Sequence, residues 1–223
     1  MKTVLIVGLG QISFSAKQSH TDMNSFTTHT QAFHNDSFFT LGGSVETSPH
    51  VRKQFEEIYN KPSFKDLSEG LEALRPDLVI LSVPTVSHFQ TLHSILESKI
   101  PSLVLCEKPL SLNNSEFEII KGLSKSSGIA VFLNYLRRSW PGINKIKNNI
   151  IKNNISSPIQ CVVWYSKGLK NSCSHFTDLM IYLLGPIHKS RSIGPIKKLN
   201  KMDVMRDIHI TFERGESIFL GCS

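Results

Sequence analysis

The stretch that decides the fold is residues 3–13, TVLIVGLGQIS. Its first five residues, Thr3 to Val7, are apolar or β-branched and predict a short buried strand, and the glycines that follow predict a tight turn at its end. The apolar run is broken by Gly8 and Gly10, and no small-residue cleavage site follows it. We therefore interpret the run as a first strand and expect no signal peptide.

Further apolar runs alternate with amphipathic stretches, which is the pattern of βαβ units and a parallel sheet. The predicted strands are Phe38 to Val45, Leu78 to Val83, Ser102 to Cys106 and Ile129 to Leu133. The predicted helices are His50 to Tyr59, Leu67 to Leu74, His88 to Glu97 and Ser115 to Ser124, the last with Ser115 as its expected cap. The polar stretch from Ser15 to Thr30 is expected to form an inserted loop.

The pattern changes after Asn134. The predicted elements there are a basic helix from Ile143 to Ile151, a strand from Ile159 to Tyr165, an apolar helix from Ser174 to Leu184, and two strands, Asp207 to Phe212 and Ser217 to Cys222, joined by Arg214-Gly215. We expect an α/β chain of two domains: a doubly wound parallel sheet over residues 1–134 and an α+β domain with a mainly antiparallel sheet over residues 135–223. Because a closing hairpin is marginal by itself, the second domain is expected to be incomplete.

The composition restricts the class of protein. The chain has 223 residues, of which 40% are hydrophobic and 19% charged. No apolar run approaches the ~20 residues that cross a bilayer, so we expect neither a disordered chain nor a membrane protein. The formal net charge is +7, but the basic residues are scattered. Their local enrichments, at residues 144–154 and 187–206, carry no interleaved aromatics, so a solvated basic face is favoured over nucleic-acid binding.

The cysteine and histidine spacings give no metal or disulfide signal. The four cysteines lie far apart with no CxxC pair, and no two histidines have the spacing of a metal-binding helix. We expect no disulfide framework and no metal. A reducing compartment, the cytoplasm, fits best.

The turn after the first strand matches the GxGxxG position of a dinucleotide-binding Rossmann fold, with Ser13 as the third small residue. The first glycine permits the tight turn, and the second lets a pyrophosphate approach the backbone. The predicted cofactor contacts in this turn are Gly8, Gly10, Gln11 and Ile12. An ordinary strand-to-helix turn is the alternative.

The acidic residue expected after the second strand is best matched by Glu46. It lies farther downstream than the ~20 residues of the simple motif, and the inserted loop accounts for the excess. A carboxylate that binds both ribose hydroxyls repels a 2′-phosphate, so Glu46 favours NAD over NADP. The alternative is a solvent-facing residue at the start of a helix.

Two polar clusters follow later strands, where a parallel sheet binds its ligands. Val83-Pro84-Thr85-Val86-Ser87-His88 ends the third predicted strand, and Cys106-Glu107-Lys108-Pro109-Leu110 ends the fourth. Cofactor contacts are predicted for Pro84, Thr85, His88, Glu107 and Lys108. An ammonium held near Glu107 can orient a substrate hydroxyl or relay its proton, although Lys108 also fits an ordinary surface lysine.

Together these motifs resemble the Gfo/Idh/MocA family, the relatives of glucose–fructose oxidoreductase and inositol dehydrogenase. The resemblance rests on Gly8-Leu9-Gly10, Pro84-Thr85-x-x-His88, Glu107-Lys108-Pro109, Asn134-Tyr135-x-Arg137-Arg138 and Ser174-His175-x-x-Asp178-Leu179, in that order. It covers nearly the whole chain. It implies an enzyme that uses NAD or NADP to oxidise or reduce a hydroxyl on a sugar, cyclitol or related small molecule, and a homo-oligomer formed through the C-terminal sheet.

The resemblance also implies roles for particular residues. Lys108 and His175 match the positions that flank the reacting carbon, with His175 as general acid/base and Lys108 polarising the hydroxyl. The implied substrate contacts are Tyr135, Arg137, Arg138, Asn171 and Asp178. A structural histidine, a helix cap for Asp178 and an inter-domain salt bridge for the arginines are the alternatives.

The chain departs from the family at two points. Many members carry an aspartate four residues before the histidine, whereas this chain has Asn171, whose amide cannot take a proton. Members are also usually longer, so the chain is expected to be short at its C-terminus. The alternative function is therefore a truncated or degenerate homologue that binds nucleotide with little or no turnover.

Overall fold

The computed structural model describes residues 1–16, 27–198 and 203–222. The chain divides into two compact units, Met1–Asn134 and Tyr135–Ser223. None of the helices in the described ranges is both long enough and apolar enough to cross a membrane.

The first unit is built on a parallel sheet, as the sequence predicts. Its strands are β1 (Lys2–Val7), β2 (Phe39–Val45), β3 (Ser63–Phe64), β4 (Leu78–Leu81), β5 (Leu103–Cys106) and β6 (Ala130–Leu133). They lie in the order β3-β2-β1-β4-β5-β6, and each neighbouring pair is parallel. The order reverses between β1 and β4, which is the doubly wound arrangement, so the carboxyl ends of these two strands flank the crevice where such sheets bind ligands.

Helices cover both faces of this sheet. They are α1 (His29–His34), α2 (Pro49–Tyr59), α3 (Leu67–Leu74), α4 (Thr85–Ser98) and α5 (Asn114–Ser127). Successive side chains of a strand point to opposite faces. Accordingly, Leu5 and Val7 belong to a buried cluster that includes Leu92 of α4, while Val4 and Ile6 belong to another that includes Phe55 of α2.

The stretch predicted as an inserted loop ends in a helix. Residues 17–26 of that stretch lie outside the described residues, but His29 and Thr30 begin α1, which Thr28 caps through its hydroxyl. The His29 amide donates to the Ile12 carbonyl at 3.1 Å, and the Thr30 amide donates to the Ser13 carbonyl at 3.0 Å. These bonds attach α1 to the turn at residues 11–13. Helix α1 and the glycine turn therefore form one hydrogen-bonded structure, which no local pattern in the sequence reveals.

Three smaller expectations are corrected. Helix α4 begins at Thr85 rather than His88, because Pro84 stands at the cap position, where its missing N–H costs nothing. The cap of α5 is Asn113 rather than Ser115: the Asn113 Oδ1 accepts from the Glu116 amide at 3.0 Å. Strand β3 was not predicted, since two residues give no periodic signal.

The second unit is an α+β structure. Its elements are a 3₁₀ turn (Leu136–Ser139), α6 (Pro141–Ile151), β7 (Ile159–Tyr165), a π-helical turn (Leu169–Cys173) leading into α7 (Ser174–Leu184), β8 (Ile187–Ser192), β9 (Lys197–Lys198), β10 (Val204–Met205), β11 (Ile208–Phe212) and β12 (Gly215–Gly221). A four-stranded sheet has the order β7-β12-β11-β8, and β9 pairs with β10. Only the β7–β12 pair of the larger sheet is parallel, so the expectation of a mainly antiparallel sheet is confirmed.

The hairpin that looked isolated in sequence has partners on both sides. Strand β7 flanks β12, and β8 flanks β11. Strand β8 was missed because all six of its residues are exposed and show no apolar alternation. The hairpin turn is Glu213-Arg214 rather than Arg214-Gly215, since Gly215 already begins β12. Helix α7 shares the buried core of this sheet through Leu179, Met180 and Leu184.

Candidate functional site

The turn after β1 is fixed by Gly8. Its φ is +90°, and a Cβ added there would lie 2.8 Å from the Val83 amide nitrogen and 2.9 Å from the Ser82 carbonyl oxygen. Only glycine adopts this conformation and tolerates this approach without strain. The packing of β1 against the end of β4 therefore requires Gly8.

Gly10 differs from Gly8, because its φ is not positive and no described residue comes close to the place of a side chain. Gly10 is exposed, and among the described residues its added Cβ would meet only the Ser82 carbonyl oxygen, at 4.0 Å. No other atom of the described residues covers the bare backbone at this point of the crevice. This is the opening that a pyrophosphate needs to approach main-chain N–H groups.

Ser13 takes the place of the third glycine without loss of packing. It is fully buried, and its hydroxyl donates to the Ser82 hydroxyl. The Ser82 hydroxyl in turn lies 2.9 Å from the Gly8 carbonyl oxygen. The third small residue thus ties the turn to the end of β4.

Glu46 stands directly after β2, as predicted, and its carboxylate holds the same turn. Oε2 accepts from the Leu9 amide at 2.9 Å, and Oε1 accepts from the Ser48 amide at 2.9 Å. Burial by itself raises the pKa of Glu46, but the hydrogen bonds from Ser48, Leu9 and Thr47 outweigh it and leave the pKa below its usual value. Glu46 is therefore ionised at neutral pH. The Thr47 hydroxyl also donates to Oε1, at 3.2 Å, so most of the about four acceptor positions of this carboxylate are occupied by the protein itself.

The remaining predicted cofactor residues lie along the same edge of the sheet. Gln11 and Ile12 are exposed in the turn that follows Gly10. Pro84 is exposed at the cap of α4, and Thr85 is half-buried in its first turn.

Glu107 and Lys108 follow β5. Glu107 Oε1 accepts from Asn134 Nδ2 at 2.7 Å and lies 2.9 Å from His29 Nε2. Burial by itself raises the pKa of Glu107, but the hydrogen bonds from His29 and Asn134 outweigh it, so the pKa lies below its usual value. Lys108 comes next and is half-buried. The sequence motif thus becomes a carboxylate held by two side-chain donors, immediately beside a lysine.

Sequence reasoning missed His29. The histidine lies 78 positions before Glu107 and lacks the spacing of a metal-binding helix. No local pattern could have found this contact, because it forms only when α1 is attached to the glycine turn. Its side chain is 13% exposed and that of Glu107 16%.

His88 lies beneath the site. It is only 1% exposed, and its Nδ1 lies 2.7 Å from the Pro109 carbonyl oxygen while its Nε2 lies 2.9 Å from the Val83 carbonyl oxygen. Both ring nitrogens therefore face main-chain acceptors of the two loops that were predicted to contact the cofactor. The ring supports these loops from within the protein.

In the second unit, Arg138 and Asp178 form an ion pair. Arg138 Nε donates to Asp178 Oδ2 at 2.7 Å, and Nη2 donates to Oδ1. The Asp178 hydrogen bond is the main reason that the pKa of Arg138 is raised. The guanidinium also lies 5.4 Å from the Tyr182 ring centroid. The alternative stated for the arginines is an inter-domain salt bridge, whereas this ion pair lies within the second unit.

The other predicted substrate residues surround this pair. Tyr135 and His175 meet edge to face with ring centroids 5.7 Å apart, and burial raises the pKa of the Tyr135 hydroxyl. The Arg137 guanidinium lies 4.3 Å from the Phe176 ring centroid. Within the described part of the chain, Arg137 Nη1 is buried and has no hydrogen-bond partner.

Asn171 lies in the π-helical turn before α7 and is exposed. Its backbone amide and that of Lys170 donate to the Asp203 carboxylate at 3.1 Å each. A carboxylate thus caps this turn, but it comes from a different part of the chain.

The comparisons with known proteins agree with this geometry. The profile of an oxidoreductase family with an NAD-binding Rossmann fold matches residues 2–135. The chain belongs to that family.

Individual relatives match at low identity. Myo-inositol 2-dehydrogenase from Thermotoga maritima is 26% identical over 108 residues, which are 48% of this chain and 32% of that protein. The solved structure described as a probable dehydrogenase from Thermotoga maritima has a TM-score of 0.81 at 17% identity, covering 98% of this chain and 68% of that one. The WlbA dehydrogenase from Bordetella pertussis, solved with NADH and UDP-GlcNAcA, has a TM-score of 0.76 at 16% identity, covering 97% and 69%. The chain spans about half or less of the curated relatives it matches, 48% and 32%.

Proposed function

We propose that this protein is an NAD(P)-dependent oxidoreductase that transfers a hydride between a nicotinamide cofactor and a hydroxyl or ketone of a sugar, cyclitol or related small molecule. The observation that carries the proposal is the edge of the first sheet. There the glycine turn, the ionised Glu46 and the Glu107–Lys108 pair stand at the carboxyl ends of β1, β2 and β5, three parallel strands of one sheet. Hydride transfer of this kind requires a crevice that binds the cofactor and an amine positioned beside the reacting oxygen.

The turn residues fit a dinucleotide. Gly10 leaves the backbone open, and the pyrophosphate would lie against it, with Gln11 and Ile12 beside it and Pro84 and Thr85 across the crevice. Glu46 would accept from the adenosine ribose and favour NAD, because its negative charge opposes a 2′-phosphate. When bound, the cofactor accepts or donates the hydride. In this proposal, His88 supports the loops instead of contacting the cofactor.

Lys108 and His175 are the proposed catalytic residues. Lys108 would donate a hydrogen bond to the reacting oxygen and polarise it. His175 would take the proton from the hydroxyl in oxidation and return it in reduction, because an imidazole titrates near the working pH. Glu107 would place a fixed negative charge at the same edge of the first sheet.

The second unit is the proposed substrate domain, residues 135–223, and the first the dinucleotide-binding domain, residues 1–134. Tyr135, Arg137 and Asn171 offer a hydroxyl, a guanidinium and an amide to a polyhydroxy or anionic substrate. Arg137 is the strongest of these candidates because its Nη1 is buried without an acceptor among the described residues, and an anionic substrate oxygen would satisfy it. Arg138 and Asp178 contribute through the ion pair that holds the end of the 3₁₀ turn against α7.

The substrate class is supported by the relatives. One is named a myo-inositol 2-dehydrogenase, and another was solved with a nucleotide sugar. Myo-inositol and the sugar part of a nucleotide sugar both carry secondary hydroxyls, which the proposed reaction needs.

A homo-oligomer through the C-terminal sheet is also proposed. One face of that sheet carries Val162 and Trp164 of β7, exposed by 60% and 65%, with Ile218 beside them on β12. Adjacent exposed apolar side chains of this size favour burial against another surface. Sedimentation of the wild type and of Trp164→Glu tests it, since a monomeric wild type removes the proposal. The four free cysteines fit a reducing, cytoplasmic location.

The test of the function begins with calorimetric titration of the folded chain with NAD, NADH, NADP and NADPH. We expect saturable binding of one oxidised and reduced pair, followed by turnover in a screen of cyclitols, sugars and nucleotide sugars. Binding without turnover would favour the alternative, a nucleotide-binding homologue with little activity, for which Asn171 is the supporting observation. A folded chain that binds none of the four contradicts both readings.

A further inference from the structure

We propose that His29 is a positioning residue: through its contact with the Glu107 carboxylate, it fixes the segment that carries Lys108. The inference rests on the proposed function only in naming Lys108 as catalytic. The contact itself is a feature of the first unit, formed between the start of α1 and the end of β5.

The geometry at Glu107 is convergent. His29 Nε2 lies 2.9 Å from Oε1, and Asn134 Nδ2 donates to the same oxygen at 2.7 Å. The two donors come from opposite ends of the unit's sequence, one from α1 and the other from the end of β6. A single carboxylate oxygen with two donors in a mostly buried setting has little rotational freedom, so the Glu107 side chain is fixed with respect to two other elements.

The other neighbour of Lys108 is held by a second imidazole. His88 Nδ1 lies 2.7 Å from the Pro109 carbonyl oxygen, and its Nε2 lies 2.9 Å from the Val83 carbonyl oxygen. Lys108 thus stands between a residue fixed through its side chain and a residue fixed through its main chain. These contacts set the position from which the flexible four-carbon stem of the lysine extends.

The contact with His29 has a specific chemical requirement, an N–H donor aimed at Glu107. Burial raises the pKa of the neighbouring Cys106 thiol to about 12, which keeps that thiol neutral. An imidazole can donate to the carboxylate whether it is neutral or charged. The amide of a glutamine can supply the same donor, whereas a phenyl ring fills the space without it.

This requirement defines the variants. His29→Phe removes the donor and keeps a ring, while His29→Gln keeps a donor. His34→Phe is the matched control, because His34 lies on the same helix and contacts Tyr59 ring to ring instead of Glu107. Thermal melts establish that all three variants fold.

We expect His29→Phe to lower kcat by about 10- to 100-fold, because a misplacement of about 1 Å in a catalytic group has an effect of this order. KM and the Kd for the cofactor should stay within about twofold, and His29→Gln should recover most of the kcat. A folded His29→Phe variant with the kcat of the wild type overturns the proposal. So does a His29→Gln variant as slow as His29→Phe, because the donor would then be irrelevant.

A second measurement does not depend on turnover. The rate at which Lys108 is acetylated by dilute acetic anhydride, read by peptide mass spectrometry against the other lysines, reports how firmly the segment is held. We expect an increase of about threefold or more in His29→Phe and no change in His29→Gln or His34→Phe. If the wild type shows no turnover, the proposed function fails. An unchanged labelling rate in His29→Phe contradicts the positioning role independently.

Discussion

The two units hold their candidate cationic groups by different means. In the first unit, Lys108 follows a buried strand, and the residues on both sides of it are fixed by hydrogen bonds to His29, Asn134 and His88. In the second unit, Arg138 is held by the Asp178 carboxylate, and its neighbour Arg137 lies against the Phe176 ring. The contacts of the first unit fix the residues on both sides of the lysine. In the second unit a carboxylate pairs with the arginine side chain itself.

The difference suits the chemistry of the two side chains. A lysine ammonium is a compact charge on a flexible stem, so its position depends on the segment that carries it. An arginine keeps its charge and its planar fork, which favours fixed pairing with a carboxylate. We therefore expect substitution of Lys108 to alter catalysis, whereas substitution of Arg138 should alter mainly the stability of the second unit.

The largest expected effect is that of Lys108→Ala. We expect kcat to fall by about 10²- to 10⁴-fold, the usual contribution of a positioned proton donor, with the Kd for the cofactor within about twofold. Steady-state kinetics and calorimetry measure the two quantities. Lys108→Arg, which keeps the charge at a different reach, should recover little. Activity equal to that of the wild type would remove Lys108 from the mechanism.

His175→Ala tests whether the second unit contributes a catalytic residue. A loss of about 10²-fold or more in kcat is expected, because no other group is proposed to move the proton. His188→Ala, on the exposed strand β8, is the matched control and should be silent. If the two variants behave alike, the second unit contributes binding alone.

Substitution by alanine is expected to reduce the stability of the first unit at Gly8 and the affinity for the cofactor at Gly10. Gly8→Ala should destabilise the first unit by about 3 kcal/mol or more, since its positive φ and the 2.8 Å approach to Val83 both oppose a side chain. Gly10→Ala should melt like the wild type but bind the cofactor at least about tenfold more weakly, because the new methyl group occupies the open approach. Melts and calorimetry separate the two effects. If Gly10→Ala binds the cofactor as tightly as the wild type, the pyrophosphate does not lie against Gly10.

Arg138→Ala tests the ion pair as a structural element. The Asp178 carboxylate is buried and would lose its partner, which should destabilise the second unit by about 1–2 kcal/mol, a value reduced by the solvent that reaches the arginine. A thermal melt should show a Tm lower by about 2–8 °C. Lys121→Ala, which removes an exposed ion pair with Glu118, should change the Tm little. If Arg138→Ala and Lys121→Ala have the same Tm, the Arg138–Asp178 ion pair does not stabilise the fold.

The smallest expected effect is that of Glu46→Gln. Because Glu46 is ionised, replacing it with a neutral amide should reduce the preference for NAD over NADP by about tenfold, or about 1.4 kcal/mol. The glutamine oxygen can still accept from the Leu9 amide, which keeps that contact to the turn, while the Ser48 amide loses its acceptor. The ratio of the two dissociation constants measures the effect, and an unchanged ratio refutes the role of Glu46 in selecting the cofactor.

Much of the fold followed from local patterns. The strands of the first sheet are short apolar runs with glycine or polar residues at their ends, and α2, α3 and α5 have apolar residues at helical spacing. These apolar patterns can be read from the sequence because the residues that are buried at a sheet must be apolar. Strand β8 is the counterexample: its residues are exposed, and only its pairing with β11 makes it a strand.

The sequence by itself determined the parallel sheet, the glycine turn with Gly8 at its centre, and the presence of a carboxylate and a lysine after the strand that became β5. Each depends on residues close together in the chain, where conformational preferences act directly. Tertiary structure alone decided that His29 meets Glu107, that His88 lies beneath two loops, and that Arg138 pairs with Asp178. Such contacts join residues far apart in sequence, and they arise only when packing of the apolar faces brings their elements together.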